Sequence, residues 1–141
     1  MERVLGLDLG SRTCGIAISD SLGIAHSREN FRFEEGAYRQ CLKHVKEYLE
    51  KENVHMIALG YPLNMDGSVG PSAERSIRFK EELLEMDPTL KVELVDERLT
   101  TVMATNALLE CDLSRGKRKK VIDQQSAVII LEAYLEKEGN K

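Results

Sequence analysis

The sequence contains no tryptophan and few other aromatic residues: three phenylalanines and four tyrosines bring the aromatic share to 5% of 141 residues. Unpaired bases are usually recognised by stacking on aromatic side chains. This composition therefore argues against sequence-specific single-strand recognition by stacking, and leaves recognition of shape and phosphate as the better expectation for any nucleic-acid partner.

Long apolar runs are also missing, and the longest are far shorter than the roughly 20 residues of a membrane-spanning helix. The first residues enter a strand without a basic and apolar signal segment. Three cysteines, Cys14, Cys41 and Cys111, form no close pair, and their odd number argues against a disulfide framework. We therefore expect a cytoplasmic protein in a reducing compartment, with no membrane partner.

The remaining composition is that of an ordinary globular protein, with 42% hydrophobic and 31% charged residues. We expect one domain spanning residues 1–141. The formal net charge is −4, which argues at first against a nucleic-acid partner. However, five positive charges lie within six residues: Arg115, Lys117, Arg118, Lys119 and Lys120. A basic segment on an acidic body suits docking to phosphates, although such a run can also be a solvated loop.

Hydrophobic periodicity and turn residues predict an α/β protein with the element order βββαβαβα and one further helix. The predicted strands cover residues 3–9, 14–20, 24–33, 54–63 and 91–96. The predicted helices cover residues 37–53, 72–86, 100–111 and 121–138, with Ser72 capping the second and residues 112–120 forming a basic loop.

This order implies a five-stranded mixed sheet flanked by helices. The first three strands form an antiparallel meander, and two right-handed crossovers add the others, so that the strand order is 3-2-1-4-5. Ligands in such sheets bind at the carboxyl ends of the strands, near the point where the connections change direction. The first strand lies at that point.

Asp8 is an unusual residue for a central strand, because a carboxylate in a dry interior is costly unless it is paired or binds a metal. Alternation places three leucines on one face of this strand and leaves Asp8 between Gly6 and Gly10 on the other. A bare face with one acid suits a metal or phosphate site, since glycine lets a ligand approach the backbone. The alternative is a solvated acid that leads into a turn.

Two further acids are predicted at the same end of the sheet. Glu97 follows the fifth strand, although it can also be a solvated strand end with a local ion pair. Asp123 lies in the last helix on the face that carries Ala127, Ile130 and Leu131, although an acid in a first helical turn also favours the helix dipole. Three acids leading to one edge of a sheet predict a catalytic metal site.

Oxygen ligands without nearby histidine or thiolate select Mg²⁺ or Mn²⁺. Such ions support hydrolysis at phosphorus, because they lower the pKa of the attacking water and stabilise the leaving oxygen. The basic segment 115–120 is then expected to hold a polyanion beside the ions. Arg12 is a further candidate phosphate contact, and the turn-rich loop 64–71, with Asn64, is a candidate substrate contact.

Four segments resemble the YqgF family, also called RuvX, whose members are described as pre-16S rRNA nucleases and earlier as Holliday-junction-resolvase-like. They are residues 6–20, 59–71, 95–101 and 114–135. The resemblance covers nearly the whole chain. It implies an RNase H-like fold, a metal-dependent nuclease in 5′-end maturation of small-subunit ribosomal RNA, and catalytic acids at Asp8, Glu97 and Asp123. The chain differs at Ser126, where the family usually has alanine, and at Cys14.

Three other functions remain open. The first is resolution of four-way DNA junctions, which a stable dimer would favour over a monomer or weak dimer. The second is a non-catalytic RNA-binding factor on a pre-ribosomal small subunit. The third is a nucleotide-binding module, because residues 8–11 also resemble the phosphate loop of sugar kinases, actin and Hsp70 chaperones. Those proteins close two such domains around ATP, and this chain has room for one.

Overall fold

The computed structural model describes the backbone of residues 2–96 and 115–139, and the side chains of residues 2–96 and 126–138. Glu97 and the helix predicted over residues 100–111 lie outside this description. In chain order, the described elements are β1 Leu5–Leu9, β2 Thr13–Ser19, β3 Ala25–Arg32, α1 Tyr38–Glu52, β4 Met56–Tyr61, α2 Pro71–Met86, β5 Lys91–Asp96 and α3 Arg115–Gly139. Within these ranges, no helix is both long and apolar enough to cross a membrane.

The strands form one mixed sheet in the order β3-β2-β1-β4-β5, which confirms the predicted topology. β1 pairs antiparallel with β2, and Asp8 lies opposite Gly15. β1 pairs parallel with β4, which in turn pairs parallel with β5. β3 is antiparallel to β2 and therefore runs in the direction of β1. Strands β1, β3, β4 and β5 consequently end on the same side, which we call the carboxyl end of the sheet.

One face of the sheet packs against α1 and α2 and forms the larger core. The three leucines of β1 are buried on this side of the sheet, as their alternation predicts. The buried helix residues facing them are Cys41, Val45, Leu49, Phe79 and Leu83. Their spacing of four residues places them on one face of each helix. This core fixes where α1 and α2 begin relative to the carboxyl end of the sheet.

The other face packs against α3 through a second, smaller cluster. Its helix residues are Ala127, Ile130, Leu131 and Tyr134, all of which are buried. Their partners on the sheet include two small residues, Ala17 and Ala58. Small side chains let the helix backbone approach the strands closely, so α3 lies directly over the face that carries Asp8.

The predicted starts of two helices are wrong, and the strand predicted over residues 54–63 is two residues too long at each end. Helix α3 begins at Arg115, so the basic segment 115–120 forms its first turns and is not a loop. Lysine and arginine are good helix formers, and proline is absent from the segment, so the helix extends backwards through it. Helix α2 begins at Pro71 with Gly70 as its N-cap, two residues before the predicted cap Ser72. Proline is favoured at a first helical position because its fixed φ suits the helix and its missing N–H needs no partner there.

The buried thiols Cys14 and Cys41 lie in the larger core, on the face of the sheet opposite Asp8. A hydrogen-bond contact with Cys41, burial, and the negative charges of Asp8 and Glu29 raise the pKa of the Cys14 thiol. Because both thiols are buried, we expect neither to react with a disulfide reagent in a Cys111→Ser variant. A spectrophotometric thiol titration should detect both only after denaturation. Rapid reaction of the folded variant would contradict this packing.

Candidate active site

Asp8 lies half-buried near the end of β1, on the face covered by α3. The two nearest positions on this face are glycines, Gly6 on the same strand and Gly15 on β2. A β-carbon placed at Gly15 would lie 3.5 Å from the β-carbons of both Asp8 and Ala127. A β-carbon at Gly6 would lie 2.8 Å from the β-carbon of Leu131. The face around the acid therefore carries no side chain at either position, and α3 fills the space of the missing one at Gly6.

The direction of α3 brings its earlier residues toward the carboxyl end of the sheet. Leu131 lies against Gly6, and Ala127, one turn earlier, reaches Gly15 opposite Asp8. Asp123 precedes Ala127 by four residues, which is close to one helical turn, and its backbone belongs to the same helix. The side chain of Asp123 lies outside the described residues, so its role as a ligand stays a prediction.

The third predicted acid, Glu97, follows the last residue of β5, Asp96. Asp96 pairs with Tyr61 at the end of β4, and β4 lies between β5 and β1. Strands separated by one intervening strand lie about 10 Å apart. The chain therefore leaves β5 at the carboxyl end of the sheet, two strands from Asp8, and Glu97 itself remains a prediction.

The donor chemistry near Asp8 favours a hard cation. His26 lies just beyond the β2–β3 turn and His55 just before β4, both at the opposite end of the sheet, while His44 lies on α1, on its other side. The Cys14 thiol is buried on that other side as well. Among the described side chains, no group of three acids, histidines or cysteines could hold a metal ion. Of the three predicted acids, only Asp8 has a described side chain, and it lies between glycines. One carboxylate oxygen donor fits an ion such as Mg²⁺ if Glu97 and Asp123 supply the other carboxylates.

Arg12 lies in the turn between β1 and β2, at the same end as Asp8. Its guanidinium forms a 3.1 Å ion pair with Glu35, and both side chains are well exposed, at 69% and 64%. The Phe33 N–H donates to the Arg12 carbonyl, and the Gly36 N–H donates to that of Ser11. An exposed ion pair contributes little stability. A phosphate could therefore replace Glu35 as the partner of Arg12 at small cost.

Asn64 organises the loop between β4 and α2. Its side-chain amide donates to the Ser68 hydroxyl at 2.9 Å, and its backbone N–H donates to the Ser68 carbonyl at 3.0 Å. Asp66 accepts a hydrogen bond from the Ser68 N–H. The loop is thereby closed on itself and presents Met65, which is 76% exposed. Asn64 as a direct nucleic-acid contact stays a prediction, while its observed role is to shape the loop.

The basic residues Arg115, Lys117, Arg118, Lys119 and Lys120 lie in the first turns of α3, just before Asp123. Their side chains lie outside the described residues. Because α3 runs from the carboxyl end of the sheet toward the opposite end, its start belongs to the same end of the molecule as Asp8. Nucleic-acid binding by these five residues stays a prediction.

Sequence reasoning missed Gly15, which forms one wall of the space around Asp8. The signal was present, because a tight turn between two antiparallel strands fixes their register. Pairing Leu9 with Cys14 across residues 10–13 places Gly15 directly opposite Asp8.

Comparisons with known proteins agree with this architecture. The model of the RuvX family, described as Holliday junction resolvase, matches residues 2–137. A protein of Staphylococcus carnosus (strain TM300) named "Putative pre-16S rRNA nuclease" is 42% identical over 136 residues, 96% of each chain. A protein of the same name from Geobacillus sp. (strain WCH70) is 47% identical over 135 residues, 95% of this chain and 97% of its own.

Solved structures show the same fold at low sequence identity. Thermus thermophilus RuvC in complex with a Holliday junction substrate superposes with a TM-score of 0.62 and 13% identity, covering 100% of this chain and 98% of its own. A second T. thermophilus RuvC structure gives a TM-score of 0.59 at 12% identity, with 98% and 96% coverage. The fold is therefore the RuvC-like form of the RNase H fold.

Proposed function

The chain belongs to the RuvX family, and on that premise we propose that it is a divalent-metal-dependent nuclease that hydrolyses phosphodiester bonds of precursor 16S rRNA during 5′-end processing. We place this activity in the bacterial cytoplasm, in a single catalytic domain spanning residues 1–141. The observation that carries the proposal is the position of Asp8 beside Gly6 and Gly15 on the strand face that α3 covers. The names of the close relatives support the substrate.

The proposed catalytic centre consists of Asp8, Glu97 and Asp123. Helical periodicity supports the inclusion of Asp123, because it precedes Ala127 and Leu131 by four and eight residues on a helix that packs over Gly6 and Gly15. The end of β5 supports the inclusion of Glu97, because its last residue pairs with the last residue of β4. Each acid then reaches the centre from a different element.

These three carboxylates would hold Mg²⁺ or Mn²⁺, the ions that prefer oxygen ligands. When bound, such ions supply an activated water and charge neutralisation at the scissile phosphate. The chain's own residues do the rest. The glycines beside Asp8 carry no side chain that would compete for the ion, and the packing of α3 on Gly6 and Gly15 fixes the distance between strand and helix. Arg12 and the start of α3 hold neighbouring phosphates in place.

A panel of substrates tests the activity. Purified protein is incubated with precursor 16S rRNA, unstructured single-stranded RNA and four-way junction DNA, with Mg²⁺, Mn²⁺ or EDTA. We expect the precursor rRNA to be cut near its mature 5′ end with either ion and to remain intact in EDTA. Failure to cut any RNA under these conditions would contradict the proposal.

Junction resolution is the second candidate function, because the family model itself carries the description Holliday junction resolvase. Resolution requires two active sites on one junction, so it predicts a stable dimer and paired symmetric cuts. Our proposal instead predicts a monomer or weak dimer that acts on RNA. A third possibility, a non-catalytic RNA-binding factor on the pre-ribosomal small subunit, predicts binding of precursor rRNA by wild type without cleavage.

The basic start of α3 should control binding through phosphate contacts. We expect the triple variant Lys117→Gln, Lys119→Gln, Lys120→Gln to bind precursor rRNA more weakly and with a flatter salt dependence. Each lost phosphate contact lowers the slope of log K against log salt by roughly 0.7–0.9. Fluorescence anisotropy in EDTA, at several salt concentrations, measures both quantities without cleavage.

The matched control changes three lysines of α1, Lys43, Lys46 and Lys51, which are exposed on the other side of the sheet. This variant loses the same charge, so it should share any general electrostatic effect but keep the wild-type slope. Equal slopes for the two triple variants would show that the start of α3 is not a phosphate-binding segment.

A further inference from the structure

A cleft of about 300 Å³ lies between α1 and α2, away from Asp8. It has the size of a small ligand site, the lower end of a range of roughly 300–1,000 Å³. Two aromatic rings, one proline and four charged side chains line it: Tyr38, Phe79, Pro71, Glu74, Arg75, Arg78 and Glu82. Neither the family description nor the names of relatives assign a role to these residues.

The cleft is at the carboxyl end of the sheet, although on the face opposite Asp8. β3 and β4 both end there, so α1 and α2, which follow them, also begin there. Tyr38 is the first residue of α1, and Pro71 is the first residue of α2. A hydrogen bond joins the start of α1 to the β1–β2 turn that follows Asp8. The Gly36 N–H, two residues before Tyr38, donates to the Ser11 carbonyl in that turn.

The Tyr38 ring is held by contacts with two neighbouring side chains. Its ring makes an edge contact with the buried Phe33 at a centroid distance of 5.8 Å. The Arg75 guanidinium lies 6.0 Å from the ring centroid. Aromatic rings and guanidinium planes are the two surfaces on which unpaired bases stack in proteins. A base that stacks on Tyr38 would take the place of the Arg75 guanidinium, which would then be available to a phosphate.

The charged side chains of the cleft supply both donors and acceptors. Within the described part of the chain, Glu74, Arg75, Arg78 and Glu82 form no ion pair and no side-chain hydrogen bond with one another or with other residues. An arginine donates to phosphate oxygens, and a carboxylate accepts from a base amino group or a ribose hydroxyl. A nucleotide presents all of these groups, whereas a bare phosphate would leave both glutamates unused.

We propose that the α1–α2 cleft binds one nucleotide of a single-stranded RNA segment that flanks the cleavage site, with its base on Tyr38 and its phosphate on Arg75 and Arg78. This inference rests on the proposed function, because it takes the RNA to be the strand that is cut at Asp8. The strand would pass from Asp8 over the β1–β2 turn, where Arg12 is exposed, to the start of α1. The cleft would thereby extend the RNA-binding surface of the protein beyond the catalytic centre.

The test measures binding without cleavage. The variant Arg75→Ala, Arg78→Ala is compared with wild type and with the control Lys43→Ala, Lys46→Ala, which loses two exposed charges at the same spacing on α1. A labelled single-stranded RNA from the 5′ flank of 16S rRNA is titrated in EDTA by fluorescence anisotropy. We expect the cleft variant to bind at least tenfold more weakly, since charge-assisted hydrogen bonds are lost. The control should stay within twofold of wild type.

Photocrosslinking locates the base. RNA that carries 4-thiouridine should crosslink to the peptide containing Tyr38 in wild type, and this crosslink should be lost in Tyr38→Leu, whose melting temperature is checked separately.

Competition with UMP and AMP distinguishes the source of the nucleotide, because displacement of RNA by micromolar mononucleotide would show a site for free nucleotides and overturn the assignment to RNA. Equal RNA affinity of the cleft variant, control and wild type would also overturn it.

The outcomes separate this inference from the proposed function. If wild type cleaves precursor rRNA and the cleft variant binds and cleaves normally, the cleft inference fails and the nuclease stands. If wild type binds RNA without cleaving it and the cleft variant binds RNA more weakly, the nuclease proposal fails and the cleft remains an RNA-binding site. If both hold, the cleft variant should raise KM for a long substrate and leave kcat unchanged, because it does not touch the catalytic acids.

Discussion

Asp8→Asn is expected to lower the rate of Mg²⁺-dependent cleavage by a factor of roughly 10²–10³ or more, the range seen when one group that stabilises charge at a reaction centre is removed. Asparagine has the same shape as aspartate but carries no charge and binds a hard cation poorly. The fold should persist, because asparagine keeps the shape of this half-buried side chain and the pairing of β1 with its neighbours runs through the backbone. Rates with precursor rRNA and melting curves without metal measure the two effects.

The matched control is Asp20→Asn, which makes the same chemical change in the β2–β3 turn at the opposite end of the sheet. Asp20 accepts hydrogen bonds from the Leu22 and Ile24 N–H groups. Its replacement should therefore change stability slightly and leave the cleavage rate at the wild-type value. Full activity of Asp8→Asn, with Mg²⁺ dependence retained, would remove Asp8 from the catalytic centre.

Gly6→Ala is expected to destabilise the protein and to slow cleavage, although residue 6 carries no chemistry. The added β-carbon would lie 2.8 Å from the Leu131 β-carbon and 2.9 Å from the Ala127 carbonyl oxygen. Both atoms belong to or adjoin the α3 backbone, so the helix must move away from the sheet. Such overpacking lowers the free energy of unfolding by about 1–3 kcal/mol. The melting temperature should fall by roughly 4–12 °C, at about 4 °C per kcal/mol for a chain of this size.

The effect of Gly6→Ala on cleavage follows from the same displacement. Helix α3 carries Asp123, and misplacing a catalytic group by about 1 Å can cost as much as 10²-fold in rate. The control is Gly15→Ala, whose β-carbon would meet its neighbours at an ordinary 3.5 Å. This variant should keep the wild-type melting temperature. Equal stability of the two variants, measured by thermal and denaturant unfolding, would contradict the close packing of α3 on β1.

The sheet could be predicted from the sequence because its signals are local. Alternation of leucine with glycine and aspartate in residues 5–10 identifies the buried face of β1. The spacing of Tyr38, Cys41, Val45 and Leu49 identifies the buried face of α1. The strand order followed from the order of elements and the right-handedness of crossovers, and the structure confirms it.

Helix starts were harder to predict because several residues compete for the same role. Ser72 is a good N-cap, yet Pro71 before it already suits a first helical position, and the helix begins there. The charge of the basic segment 115–120 suggests a loop. Its lysines and arginines nevertheless favour helix, and the apolar stripe that follows, beginning near Ala127, gives the helix a surface on which to pack.

The α1–α2 cleft could not be predicted from the sequence, because its parts come from separate helices. Tyr38 meets residues 71–82 only after the sheet has brought the starts of the two helices together. Aromatic content alone predicted little stacking on bases. The structure places Tyr38 in contact with Phe33 and Arg75, and it is this arrangement that we propose as a stacking surface.

Iron-directed backbone cleavage tests most directly whether the three acids share one ion-binding spot. Fe²⁺ replaces Mg²⁺ in the wild-type protein, ascorbate and peroxide generate hydroxyl radicals at the bound iron, and mass spectrometry maps the cuts. The account predicts cuts close to residues 8, 97 and 123, all suppressed by excess Mg²⁺ and all absent from Asp8→Asn. Cuts near only one of these positions, or a pattern that Asp8→Asn leaves unchanged, would contradict it.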